Sequence, residues 1–271
     1  MSHPMQSSLE QWASVLLAPL LLWAAPLDAP LYPSSVVGTD FDFIVEKDPD
    51  TFVRLEEKGT ALAEMPDKSD DSAELRQQAF LFLAHFSDAT QVQLAIDADF
   101  KSVAEARKEA LRYTSRLGKL PTALRRGVER LVVHQGGKGV TAFSDVGLIV
   151  VYSENATERI ATHDLEETLF HESVHAAWDK QHAASPEWLA AQKADGAFVT
   201  EYARKNPQGE DLAESALFAF TLLHHRERLP KKEAARIERL IANRIAFVAK
   251  LLPKGEPLHY KVEEKGEGTG E

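Results

Sequence analysis

The chain has 271 residues, 44% of them hydrophobic, which is enough to bury a full core and too apolar for disorder throughout. A formal net charge of −11 and a pI near 5.4 leave no basic surface for phosphate or anionic lipid, so nucleic acid is not an expected partner. With no cysteine, disulfides, thiolate metal ligands and cysteine nucleophiles are excluded together, and any metal must be held by His, Asp and Glu.

Residues 1–33 contain an apolar run, Trp12 to Ala25 (WASVLLAPLLLWAA), with the length of a signal-peptide core and with Trp23-Ala24-Ala25 or Leu27-Asp28-Ala29 as small-residue cleavage sites. Against that reading, residues 1–11 hold no Lys or Arg and include Glu10. Two expectations therefore stand side by side: export, to the periplasm or beyond, or an apolar segment that packs on the domain of a cytoplasmic protein. The run is too short and too interrupted by proline for a stable membrane span.

From residue 34 to 152 the pattern is rich in strand signals. Asp42-Phe43-Ile44-Val45 and Thr51 to Leu55 read as short strands either side of an Asp48-Pro49-Asp50 turn, and Met65 to Asp71 as a charged loop. Ala79 to Leu83 and Val92 to Ile96 flank Ser87-Asp88-Ala89 as a hairpin. A helix is predicted from an N-cap at Ser102 to about Leu117, with Gly118 just past its end and Pro121 beyond. Leu131 to His134 and Gly147 to Tyr152 are the strongest strand signals, separated by a glycine-rich loop at Gly136 to Gly139. His134 reads as a cross-strand surface residue. An edge strand in this position can pair with an extended peptide through main-chain hydrogen bonds.

Residues 160–252 read as helical, beginning with Leu165 to Asp179. Asp164 and Glu167 suggest a capping box, and Leu165, Leu169, Phe170, Val174 and Trp178 an apolar stripe. Inside this helix lies His171-Glu172-Ser173-Val174-His175, the pattern HExxH. Four residues apart, the two histidines lie about 40° apart around a helix axis and can reach one ion. Glu172, about 100° from His171, can contact a water at the open position of a tetrahedral zinc and act as its base. Further helices are predicted from Ser185-Pro186 to just before Pro207, from Glu210 to Leu229, where His224 and His225 form an exposed pair, and from Lys231 to Leu252. Residues 253–271 are polar and glycine-rich, a flexible tail in which Leu258, Tyr260 and Val262 could dock.

Two histidines leave such a site one protein ligand short, and three candidates compete. His182 is seven residues after His175, one too many for the metzincin spacing, and Trp178 occupies the glycine position. Asp179 shares a face with His175 but suits an acceptor that fixes its tautomer better than a ligand. Glu210 is favoured: with Glu214 it places two carboxylates one turn apart, one for the metal and one to accept from a ligand imidazole.

The pieces HESVHAAWDKQH, WLAAQKADGAFVTEYARKNPQ and EDLAESALFAF together resemble the gluzincin metallopeptidases, and most closely the branch that includes the catalytic domain of anthrax lethal factor and many uncharacterised bacterial proteins. The resemblance implies a zincin-like α+β fold: a small mixed sheet followed by a mainly helical half that carries the metal site, over residues 34–252. It also implies one Zn²⁺ per chain, held by His171, His175 and Glu210, with Glu172 as general base. Glu214 would support a ligand, and Tyr202, shortly ahead of the glutamate helix, would point at the metal's water. The expected activity is zinc-dependent hydrolysis of peptide bonds in a peptide or protein substrate. The chain lacks lethal factor's large accessory domains and the glycine before the second histidine, so cleavage of a particular protein is not implied. Two other readings remain open: a catalytically silent zincin-fold binding protein, and a metal-dependent hydrolase of non-peptide amides.

Overall fold

The computed structural model describes residues 29–66, 76–143 and 146–260. The apolar N-terminal run lies outside the described residues, as do residues 67–75 and Val262. A mixed sheet is followed by a layer of helices. The strands are β1 (Phe52–Glu64), β2 (Arg76–Phe86), β3 (Gln91–Asp97), β4 (Arg130–His134), β5 (Thr141–Phe143) and β6 (Leu148–Tyr152), in the spatial order β1-β2-β3-β4-β6-β5. The first three form an antiparallel meander, with the expected hairpin between β2 and β3. β4 then runs parallel to both β3 and β6, and the short β5 closes the edge antiparallel to β6.

Central strands that bury both faces should read as continuous apolar runs. Leu131-Val132-Val133 and Leu148 to Tyr152 do so. Leu131, Val133, Ile149 and Val151 face the main core, while Val132, Val150 and Ala95 face a smaller cluster with Met65 on the other side. The connection from β3 to β4 carries α1 (Val103–Lys119) and α2 (Thr122–Arg125). Ser102 caps α1 as expected, its Oγ accepting from the Glu105 amide. The helix runs two residues past Leu117, because Gly118 serves close approach and does not terminate it: a Cβ there would lie 1.9 Å from Asp50 Oδ1.

The remaining helices are α3 (Ser153–Ala161), α4 (Leu165–Val174), α5 (Pro186–Asp195), α6 (Glu201–Lys205), α7 (Asp211–His224), α8 (Lys231–Leu240) and α9 (Ala242–Leu251), with a π-helical turn, His175–Ala183, continuing α4. Two long helices of the sequence reading are thus each broken. The one opened by Ser185-Pro186 ends at Asp195, where Gly196 takes a left-handed φ of 65°. The last breaks at Ile241, where Asp195 from α5 accepts hydrogen bonds from the amides of Asn243 and Arg244 and caps α9. The third ends at His224, before Leu229.

Asp42 to Val45 is not a strand. It belongs to a strap, residues 31–51, that has no regular structure and is held by long-range bonds. The Leu31 amide donates to Val199 O (2.9 Å), the Ile44 amide to Glu167 (2.9 Å) and the Thr51 amide to Gly118 O (3.1 Å). Arg228 donates to Phe43 O and pairs with Asp48. The Asp164–Glu167 capping box does not form, because Glu167 is engaged by the strap and Asp164 makes no side-chain cap bond. His134 is buried, not on the surface: its ring stacks on Tyr152, and its Nε2 lies 3.0 Å from Pro66 O. The start of the tail is also anchored, since Thr122 donates its amide to Leu258 O (2.9 Å). Leu258 packs on the core, though not as a strand. Among the described residues no helix is long and apolar enough to cross a membrane.

Candidate metal centre

α4 is buried along Leu165, Leu169, Phe170 and Val174, and its packing on α7 sets the site. The rings of Phe170 and Phe220 lie 5.0 Å apart between the two helices, and His171, the neighbour of Phe170, meets Glu210 and Glu214 at the start of α7. There Glu210 occupies the N-cap position. The three side chains converge. His171 Nε2 and His175 Nε2 are 3.1 Å apart, and each is 3.3 Å from Glu210 Oε2. Ligands about 2.0–2.1 Å from a tetrahedral zinc are separated by about 3.3 Å, so this near-equilateral triangle has the dimensions of three zinc ligands. Among the described residues, these three form the cluster able to hold a metal ion.

The imidazoles are oriented from behind. His175 Nδ1 donates to Asp179 Oδ2 at 2.6 Å, so Nε2 is the ring atom that faces Glu210 and His171. Asp179, four residues on, shares a helix face with His175 in the π-helical stretch that continues α4. Gly127 makes room for it, since a Cβ there would lie 2.4 Å from Ala177. On the other ring, His171 Nδ1 lies 3.4 Å from Glu214 Oε1 without a formed hydrogen bond, and it is a buried atom with no other partner. Glu214 is fully buried and held by the strap: the Ser35 amide donates to it at 2.7 Å, Ser35 Oγ at 3.0 Å and Ser34 Oγ at 3.2 Å. Beside Glu210, the buried Asp211 accepts from Arg244 Nε at 2.7 Å and Gln192 Nε2 at 2.8 Å, tying the start of α7 to α9 and α5.

Burial alone would raise the Glu210 carboxyl and lower the His175 imidazole. Contact overrides burial in both cases. The two histidines hold Glu210 well below the usual carboxylate range, and hydrogen bonds to Asp179 and Glu210 push His175 up to about 10. A divalent cation bound by the three donors would compete with that proton for His175. Tyr202 lines the same cleft, and burial and the Glu210 charge push its hydroxyl above the ordinary tyrosine range. Glu172 is partly buried in the cleft wall.

All seven residues singled out from the sequence meet here: His171, Glu172, His175, Asp179, Tyr202, Glu210 and Glu214. His182 does not, its ring instead packing on Phe247. His224 and His225 are half-buried against Phe220, not exposed, and His224 Nε2 lies 3.2 Å from Leu252 O. The sequence reading missed Ser34, Ser35, Gln192 and Arg244, which reach the site from distant segments without a periodic signal. It also missed β5, too short at three residues to register. No protein-family model matches the chain, and neither a curated protein nor a solved structure is detectably similar to it.

Proposed function

We propose that the chain is a zinc-dependent peptidase of the gluzincin type on a zincin-like fold. The observation that carries this reading is the triangle of His171 Nε2, His175 Nε2 and Glu210 Oε2, with sides of 3.1–3.3 Å, beside a carboxylate that is not part of it. A zinc ion bound by those three would acidify a water toward a pKa of about 7 and polarise a carbonyl oxygen. Glu172 takes the proton from the attacking water and hands it to the leaving amine. Tyr202 keeps its proton through the neutral range, since burial and Glu210 raise its pKa, and so remains a donor to the oxyanion of the tetrahedral intermediate. Asp179 holds the His175 imidazole with its Nε2 inward, and Glu214 stands 3.4 Å behind Nδ1 of His171, where it would accept from that ring. β5 is an edge strand, and Gly139 and Thr141 at its start line the cleft, a position from which an edge strand pairs with an extended peptide.

The test is metal analysis and hydrolysis of a fluorogenic peptide library by the wild-type chain, Glu172→Gln and Glu210→Ala. The expected result is about one zinc in wild type and Glu172→Gln, a loss of rate of about 10²–10⁴ in Glu172→Gln, and loss of the metal in Glu210→Ala. Undiminished turnover in Glu172→Gln would remove Glu172 from its role. Zinc with no peptide turnover would leave a binding protein, and turnover of small amides alone would leave a non-peptide hydrolase.

A further inference from the structure

The cleft around the triangle has a volume of about 490 Å³ and carries the carboxylates of Glu172, Asp179, Glu210 and Glu214. Among the described residues that line it, Arg159 is the one lysine or arginine. It stands in the last turn of α3, with a side chain only 21% exposed. Nη1 lies 3.3 Å from Asp164 Oδ2, while Nε is shut off from solvent and has no partner. A guanidinium presents five donors in a planar fork suited to both oxygens of a carboxylate, and one 3.3 Å contact leaves most of that fork unused.

From this we infer that Arg159 is a specificity determinant that receives a carboxylate of the substrate. The inference rests on the peptidase reading. Its position sets which carboxylate. Arg159 pairs with Asp164, the N-cap of α4, and His171 lies seven residues on, about 10 Å along the axis. An extended peptide covers that distance in about three residues. The group recognised therefore sits within about three residues of the scissile bond, either an Asp or Glu side chain or the free C-terminus of a short peptide. Asp164 holds the fork when no substrate is present and competes with the substrate for it.

One uncharged peptide sequence, prepared as free acid, as C-terminal amide, and as amides with a single Glu at each position, tests this directly. Binding is measured by fluorescence anisotropy on the zinc-loaded Glu172→Gln protein, alone and combined with Arg159→Met or Asp164→Asn, and hydrolysis is measured with wild type. The expected result is that the free acid, or one of the Glu amides, binds about tenfold tighter than the plain amide, with the preference weakening in salt. Which of the two does so identifies the source of the carboxylate. In Arg159→Met the ratio falls to within about twofold, and in Asp164→Asn, which removes the competitor and leaves the guanidinium, it grows. Equal binding of all forms, or a preference that survives Arg159→Met, overturns the inference. Absence of hydrolysis with the binding preference intact overturns the peptidase reading alone.

Discussion

At the scale of single residues, the site is an arrangement of groups whose protonation states depend on one another. In the metal-free chain His175 titrates at about 10, above its ordinary 6.5, because Asp179 and Glu210 outweigh burial. A folded-state pKa above the unfolded one means stability that is fully present below about 6.5 and is lost as pH rises through 10. The same proton must leave before His175 Nε2 can bind a metal, so zinc affinity moves in the opposite direction. Titrations of the chelator-treated protein should show affinity rising by about tenfold per pH unit from pH 7 to 9, while the metal-free melting temperature falls over the same interval. A flat affinity profile would mean that His175 is already neutral in the metal-free chain. His171, His175 and Glu210 were legible in the sequence because helix geometry turns a spacing of four into a shared face. Ser35 was not, since nothing in Tyr32-Pro33-Ser34-Ser35 announces a bond to a carboxylate 179 residues later.

Among the elements, the π-helical turn His175–Ala183 has the most specific consequence for the site. Asp179 meets His175 within it, and it can lie close to the loop before β4 only because residue 127 is glycine. A Cβ at position 127 would sit 2.4 Å from both Cα and Cβ of Ala177, a clash with backbone that no side-chain rotation relieves. Gly127→Ala should therefore push the turn outward, lengthening the 2.6 Å His175–Asp179 bond. The expected cost is about 1–3 kcal/mol of stability and about tenfold in zinc affinity. Denaturant unfolding with a competitive zinc titration checks both, and a variant that loses stability but keeps full affinity would detach the turn from the site. Element boundaries were less legible than the motif. Gly196 could have marked the end of α5 by the ordinary preference for glycine after a helix. The break at Ile241 has no local sign, since its cap is supplied by Asp195 from another helix. Asp42 to Val45 misled because a run of three apolar residues is as good a strand as a strap until its partners are known.

Across the whole molecule, the strap crosses the helices and leads into β1, and Glu167 is one of its fastenings. The carboxylate accepts the Ile44 amide at 2.9 Å, is 2% exposed and has a second oxygen without a partner. Burial pushes its pKa up to about 7, against 4.5 for an ordinary glutamate. A raised carboxyl pKa reverses the usual acid-stability rule: the contribution is fully present below about 4.5 and is lost as pH rises through 7, because the ionised form is expelled from the interior. The penalty amounts to at most about 3 kcal/mol. Glu167→Gln keeps an oxygen for the Ile44 amide and cannot ionise. The variant should melt near or slightly below wild type at pH 5, and its melting temperature relative to wild type should climb between pH 5 and 8 by several degrees, at about 2–4 °C per kcal/mol in a domain of this size. Thermal melts of both chains under the same chelating conditions make the comparison, since the metal-site histidines then contribute equally to each. A pH-independent difference would show that Glu167 is ionised at pH 8 without cost, and the strap would then owe its hold to Ser35–Glu214 and Arg228–Asp48.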